Sequence, residues 1–401
     1  MTDLSSLATP RQITLRTVVR ILLDRGPVSR AELARLTGLS KQTMSEVFRD
    51  LENGGWVQMA GRTQGAVGRS AATYEIRADR ALVFGADVGG TKIQAALADM
   101  HGNIVAELVE PTDARGGQHV IAQLARTSDT LTTRAGLPAH RVLVGSVGIP
   151  GAFDHRSKRL FMVPNIAGLE GSSFAEELEN LVTFDVEVGN DVNMAAKGEL
   201  WMGEGKGIDN FVFIALGTGV GMGIINERRI LRGARGAAGE VATLPVGASA
   251  YDSRTFHSGG LETAIGSAAI RDRYEGAGGQ TGLTVREIID RIKGGDRIAA
   301  ATLDEVARTL AEAILAVSAI VDPERVVLGG SIGARSELLE RVRHFLPLCM
   351  PSPPECTISR LGSRAALFGT IASSLDRLYE SLFQTEGYDL LSEADVAEAV
   401  E

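Results

Sequence analysis

The chain has 401 residues, 44% hydrophobic and 23% charged, which excludes a disordered or low-complexity protein and leaves material for two or three domains. Two cysteines, Cys349 and Cys356, exclude a disulfide framework and point to a reducing cytoplasm, and no apolar run nears the roughly 20 residues of a membrane span. The net charge of −9 divides unevenly: residues 1–80 hold 12 Lys/Arg against 8 Asp/Glu and the remainder 29 against 42, so a head of +4 precedes a body of −13 and only the head suits a polyanion.

The segment from Pro10 places Ile13, Val18 (or Thr17), Ile21 and Leu22 at helical spacing and stops at Gly26-Pro27. Ser29 is expected to cap a second helix, with Glu32 completing a capping box and Leu33 and Leu36 facing inward, and Gly38 ends it. Ser40 caps a third helix whose Met44, Val47, Phe48 and Leu51 form the inner stripe. Trp56 to Met59 and Ala72 to Ile76 read as two strands around a basic, glycine-bearing tip. Three helices followed by a hairpin make a winged helix-turn-helix. Lys41, Gln42, Thr43, Ser45 and Arg49 are polar on the face opposite the stripe, Gln42 and Ser45 suited to base edges and Lys41 and Arg49 to phosphate or guanine. Arg62 and Arg69 on the wing suit the minor groove or the phosphate backbone. A helical head that only mediates dimerisation is the plainer alternative.

The body opens on FGADVGGTK, Phe84 to Lys92, where an apolar strand reaches Asp87, turns on Gly89-Gly90 and presents Thr91 and Lys92. Ile93 to Asp99 reads as a second strand, so the stretch is a hairpin tip rather than a P-loop, which requires a helix directly after it. Bare glycine N–H groups at such a tip can approach a phosphate, although a plain tight hairpin is an equal reading of the motif alone. Its weight comes from Leu216 to Ile224, LGTGVGMGI, which repeats strand, Gly217-Thr218-Gly219 turn and strand. Two such tips predict two similar lobes facing one cleft. Between and beyond them, Gln118 to Arg134 reads as a helix, Arg141 to Val147 as a buried strand, Val186 to Val188 as a short strand, Phe211 to Ala215 as a strand, Leu303 to Val321 as a long helix and Arg325 to Leu328 as a strand. Alternating strands and helices with glycine-rich turns make an α/β architecture with ligands at strand C-termini.

Asp191, between Asn190 and Val192-Asn193, follows a strand and opens a helix. A carboxylate there caps the helix, or it accepts the proton of a hydroxyl attacking a phosphoryl group. Glu240 and Glu262 follow glycines in turns, where carboxylates suit polyhydroxylated ligands; each is equally a surface turn residue.

Taken together, DVGGTK at Asp87 to Lys92, GSVGIPGAFD at Gly145 to Asp154, Pro164-Asn165, Asn190 to Asn193, LGTGVGMGI and GARGAAGE at Gly233 to Glu240 resemble the ROK family (repressors, open reading frames and sugar kinases), in its transcription-factor branch. The resemblance covers residues 10–380. It implies a two-lobed, actin-like ATPase (ribonuclease H-like) α/β fold behind a winged helix-turn-helix, with domains at 10–78, 81–190 and 191–385 and a C-terminal helix returning to the first lobe. It places sugar contacts at Asn165, Asn190, Asp191, Glu240 and Glu262, with Asp191 at the catalytic base. Nucleotide phosphate falls to Asp87, Gly89, Gly90, Thr91, Lys92, Gly217, Thr218 and Gly219. The chain departs from the family at its zinc site: the histidine position is Thr243, and the cysteine positions of the zinc loop are Ser253, Thr255 and Gly260, which leaves none of the four ligands. Zinc is therefore not expected, and ATP only if kinase activity survives. The reading is a cytoplasmic, homodimeric or homotetrameric repressor of carbohydrate genes that binds an operator duplex and senses a sugar or sugar derivative. An ATP-dependent sugar kinase, or a regulator that has lost its sugar site, remain the alternatives.

Overall fold

The computed structural model of the chain describes residues 10–62, 70–163, 165–249 and 251–382. The head comprises α1 (Pro10–Arg25), β1 (Val28–Ser29), α2 (Arg30–Thr37), α3 (Lys41–Asn53), β2 (Val57–Arg62) and β3 (Ala72–Ile76), the three strands forming a sheet of order β1-β3-β2. The Ser29 hydroxyl accepts from Glu32 N at 3.2 Å and the Ser40 hydroxyl from Thr43 N at 3.1 Å, so both predicted N-caps form. The expected capping box at Ser29 is only half made: the Glu32 carboxylate turns away to Arg35, 2.5 Å from its Nη2. Ile13 also departs from expectation. It is 55% exposed, and Leu15, Val18, Val19 and Leu22 form the buried stripe of α1.

The body follows as β4 (Leu82–Val88), β5 (Lys92–Ala98), β6 (Ile104–Pro111), α4 (Gly117–Ala135), β7 (Val142–Ile149), β8 (Ala152–Asp154), β9 (Arg159–Phe161), α5 (Phe174–Glu179), β10 (Asp185–Asn190) and α6 (Asp191–Met202). Its second half contains β11 (Phe211–Leu216), β12 (Val220–Asn226), β13 (Arg229–Ile230), α7 (Thr255–Ser258), α8 (Gly260–Ile265), α9 (Ser267–Gly276), α10 (Val285–Arg291), α11 (Arg297–Val321), β14 (Arg325–Gly329), α12 (Gly330–Gly333), α13 (Ser336–Cys349), β15 (Glu355–Ile358) and α14 (Ala365–Ser381). Helix α11 begins six residues before the predicted start, because Asp296 caps it by accepting from Ile298 N and Ala299 N at 2.9 and 3.0 Å.

Two five-stranded sheets carry the body, β6-β5-β4-β7-β10 and β13-β12-β11-β14-β15. Each is an antiparallel meander continued by two parallel strands, so the two lobes share one topology. Strand alternation divides the first lobe's core. Leu82, Phe84, Ala86 and Val88 pack on the α4 side, whereas Val83 joins a different cluster with α14. In the second lobe α11 and α13 cover the sheet through Val306, Leu310, Ile314, Leu338 and Val342. The helices that end the two lobes exchange places. Helix α6 leaves the first sheet and packs on β11 and β12, and α14 leaves the second sheet and packs on β4 and β7, the two crossing each other between the lobes.

Head and body are joined by a continuous core. Leu22, Phe48 and Trp56 of the head belong to the same buried cluster as Ala81, Val83, Ile371, Leu375 and Leu378 of the body. Arg80 is buried at this seam, donating to Gly54 O at 2.9 Å with its guanidinium over the Trp56 ring.

Candidate effector cleft and nucleic-acid interface

The first tip, Gly89-Gly90 between β4 and β5, is closed by Gly89 N donating to Lys92 O at 2.9 Å. Thr91 and Lys92 are exposed there. Asn165 meets this tip, its backbone oxygen 2.9 Å from where a Cβ on Gly90 would stand. The second tip lies between β11 and β12, where Gly217 N donates to Gly219 O at 3.0 Å and Thr218 is exposed. Glu262 of α8 braces it: its Oε2 accepts from Val220 N at 2.9 Å, and a Cβ on Gly219 would come to 2.3 Å from that oxygen, so a side chain there would displace the carboxylate. Ser267 at the start of α9 also clamps this tip, donating from its hydroxyl to Gly217 O at 2.7 Å and from its amide to Thr218 O at 3.3 Å. Nothing in the local sequence marks Ser267; the contact spans 50 residues.

Asn190 and Asp191 form the start of α6. Asn190 is the N-cap, with Oδ1 accepting from Asn193 N at 2.9 Å and Nδ2 donating to Gly151 O at 2.8 Å, so both ends of its amide already hold backbone. Asp191 Oδ1 accepts from Val192 N at 2.8 Å, and burial raises its carboxyl to about 6 despite that bond. Burial lifts Asp87 to about 7, with the Asp191 charge adding to the rise and the Lys92 ammonium opposing it. Glu240 is raised by burial first and then by the charges of Asp191 and Glu262, while Glu262 is raised by burial against its Val220 bond. Charge repulsion thus links Asp87 to Asp191, Asp191 to Glu240 and Glu240 to Glu262. Desolvated carboxylates that repel one another are hydrogen-bond acceptors in search of donors, and a polyol supplies them. An acid near 6 is also matched to accepting a hydroxyl proton at neutral pH.

The zinc-loop positions do not fit that metal. The Thr243 hydroxyl donates to Glu240 O at 2.7 Å, and the buried Thr255 hydroxyl donates to Asp252 O at 2.7 Å and Ser249 O at 3.1 Å. Ser253 and Gly260 offer neither thiolate nor imidazole. Among the described residues no group of three or more His, Cys, Asp or Glu is placed to hold a metal ion. These threonine bonds, with Gly259 pressed against Ala242, fasten the loop by local hydrogen bonding and packing.

In the head, Lys41, Gln42, Ser45 and Arg49 are exposed along α3, with Thr43 partly so. Two of the hydroxyls are already engaged: Thr43 Oγ1 lies 2.9 Å from Ser40 Oγ, and Ser45 donates to Lys41 O at 2.9 Å. Arg62 is exposed at the end of β2, and Arg69 lies outside the described residues. No helix among the described residues is long and apolar enough to cross a membrane.

Comparison with known proteins finds two families in the chain. A winged helix-turn-helix DNA-binding family matches residues 11–58, and the ROK family matches residues 83–373. A xylose repressor of Caldicellulosiruptor bescii is 25% identical over 384 residues, spanning 90% of this chain and 95% of its own length. A glucokinase of Halalkalibacterium halodurans is 31% identical over 312 residues, spanning 71% of this chain and 92% of its own. The crystal structure of a ROK family transcriptional regulator, described as a homolog of the E. coli MLC protein, superposes with a TM-score of 0.78 at 22% identity, over 94% of this chain and 99% of that one, and so shares its fold. A ROK hexokinase from Thermus thermophilus superposes with a TM-score of 0.63 at 27% identity over 75% of this chain and 99% of that one. The chain belongs to the ROK family, carrying a winged helix-turn-helix DNA-binding head in front of a kinase-like body.

Proposed function

We propose that this protein is a transcriptional repressor of carbohydrate genes that binds an operator duplex through its head and a sugar or sugar derivative in the cleft of its body. The observation that carries this reading is the placement of α14. That helix crosses α6, whose first residue is Asp191, and it contributes Ile371, Leu375 and Leu378 to the core shared with the head. In this reading Asn165, Asn190, Asp191, Glu240 and Glu262 contact the sugar, and closing the lobes on it shifts α6 against α14 and hence the seat of the head. A ligand shifts operator affinity only through a difference in its own affinity for the two arrangements, and closure supplies that difference. Lys41, Gln42, Thr43, Ser45 and Arg49 enter the major groove, and Arg62 and Arg69 serve the wing. A cytoplasmic homo-oligomer presents two heads to half-sites about one helical turn apart. Fluorescence anisotropy of promoter DNA, titrated with a carbohydrate panel, tests this. One sugar should lower operator affinity, and Asp191→Ala should abolish that response while leaving DNA binding intact. If no sugar alters binding, the sensor reading fails.

A second reading is an ATP-dependent sugar kinase. The Asp191 carboxyl, raised to about 6, together with the two glycine tips, favours it, and ROK relatives are named glucokinase and hexokinase. ATP, when bound, supplies the transferable phosphoryl group. Its phosphates would be held by Gly89, Gly90, Thr91 and Lys92 on one tip and by Gly217, Thr218 and Gly219 on the other, with Asp87 beside them. Asp191 would orient the sugar hydroxyl and take its proton. Sugar-dependent ATP turnover lost in Asp191→Ala would establish this reading; no turnover across the panel would dismiss it.

A further inference from the structure

A second cavity lies between the head and the body, lined by none of the cleft residues described above. It has a volume of about 930 Å³, within the roughly 300–1,000 Å³ typical of small-molecule sites. Arg16 and Arg20 of α1 form one wall, and Arg229 at the start of β13, Lys197 of α6 and Arg377 of α14 stand among the others. Several charges in and around it are neutralised in place: Lys197 pairs with Asp376, Arg377 with Asp185 at 3.3 Å, and Arg232 with Glu187 at 3.1 Å.

Three guanidinium groups of the lining form no ion pair with a described residue, and the Glu380 carboxylate lines the same cavity. Among the described residues Arg16, Arg20 and Arg229 have no carboxylate partner. Arg16 donates Nε to Leu382 O at 2.8 Å, but its Nη2 is buried with no acceptor among the described residues. A buried charged donor without an acceptor carries uncompensated desolvation, which Arg16 shares with Arg30, Arg141, Arg273 and Arg364 but alone carries in the wall of this cavity. Guanidinium forks match phosphate oxygens in pairs, and several such forks lining one cavity suit an anion of more than one charge. The walls also exclude a duplex, which is far too large for this volume.

We propose that this cavity is a second ligand site, separate from the sugar cleft, that takes a small phosphorylated anion bridging α1 of the head and the start of β13 in the body. Arg20 and Arg229 are exposed at the mouth, so neutralising them leaves the core untouched. Isothermal titration of the full chain with inorganic pyrophosphate, at low and constant ionic strength, tests the site. Saturable binding is expected, weakened about tenfold or more by either Arg20→Gln or Arg229→Gln, as loss of a charge-assisted hydrogen bond predicts. Lys92→Gln, at the first glycine tip, should leave it unchanged. Absence of binding, binding indifferent to both arginine substitutions, or binding abolished by Lys92→Gln would each overturn the proposal. The sugar reading is unaffected by any of these outcomes, since it is read from operator DNA and carbohydrate.

Discussion

Gly369 of α14 lies so close to Met194 of α6 that a Cβ at position 369 would stand 1.7 Å from the Met194 carbonyl oxygen. The two helices that tie the lobes together thus meet backbone to backbone, at a point one turn beyond Asp191. A side chain of any size must force them apart.

Gly369→Ala is therefore expected to cost more than its small volume implies, about 1–3 kcal/mol of stability from overpacking at a rigid contact. It should also blunt any sugar-dependent change in operator binding, because the crossing links cleft to head. Urea denaturation and DNA anisotropy on the same preparation check both effects. An alanine variant with unchanged stability and unchanged response would mean that the crossing yields without consequence.

Asp87 and Asp191 set a pH dependence whose sign follows from burial. Both carboxyls titrate higher in the fold, at about 7 and about 6, than in an unfolded chain near 3.9. A raised value means the folded state binds protons more readily, so the contribution is fully present below about pH 4 and is lost as pH rises through 6 to 7. Asp87→Asn should remove part of this loss and make the ligand-free protein more stable than wild type at pH 8, by about 1–3 kcal/mol, with little difference at pH 4. Parallel stability profiles for the two proteins between pH 4 and 8 would contradict the assignment.

Glu199 is a buried carboxylate whose role is joining rather than sensing. Its Oε1 accepts from Ser359 Oγ at 2.5 Å and Leu361 N at 3.2 Å, and its Oε2 accepts from Glu204 N at 2.7 Å. One side chain on α6 thus satisfies the chain just after that helix and the segment leading into α14. Glu199→Ala leaves these donors unpaired around a cavity and should destabilise the fold by about 3 kcal/mol or more. Glu199→Gln keeps one acceptor and should cost less. Equal costs for the two, measured by chemical denaturation, would rule out hydrogen bonding as the reason for the carboxylate.

What could be read along the chain and what could not differ in range. The glycine tips, the caps at Ser29 and Ser40 and the stripe of Met44, Val47, Phe48 and Leu51 are local patterns, and each lies where its pattern placed it. The misplaced features depend on distant partners. Ile13 sits at helical spacing with the α1 stripe, yet it lines the cavity against the body, a surface that no head-only pattern reveals. Glu32 has the spacing of a capping box but finds Arg35 on its own helix, and the completed box lies at Thr284 and Glu287, where the local reading placed no helix. Asn190 was legible as a polar residue near the cleft, whereas its double engagement required Gly151, 39 residues away. The clamp of Ser267 and the double duty of α14 are likewise properties of the assembled lobes.

The recognition face yields a prediction that separates charge from hydroxyl contacts. Lys41 and Arg49 are exposed on α3 with no acidic partner among the described residues, whereas the Ser45 hydroxyl is spent on the Lys41 carbonyl at 2.9 Å and that of Thr43 faces the cap. Cations that neutralise phosphates release counterions, so Lys41→Ala and Arg49→Ala should each weaken operator binding and flatten the log–log salt dependence by about 0.9 per lost contact. If Arg49 instead grips a guanine in the major groove, its loss should cost about 1–3 kcal/mol on the operator and little on random duplex. Ser45→Ala should change affinity least, since its hydroxyl is already committed to the helix backbone. Anisotropy titrations at four salt concentrations, on operator and random duplexes in parallel, distinguish these outcomes. A salt slope unchanged in both cationic variants would remove α3 from the phosphate backbone and leave the wing as the contact.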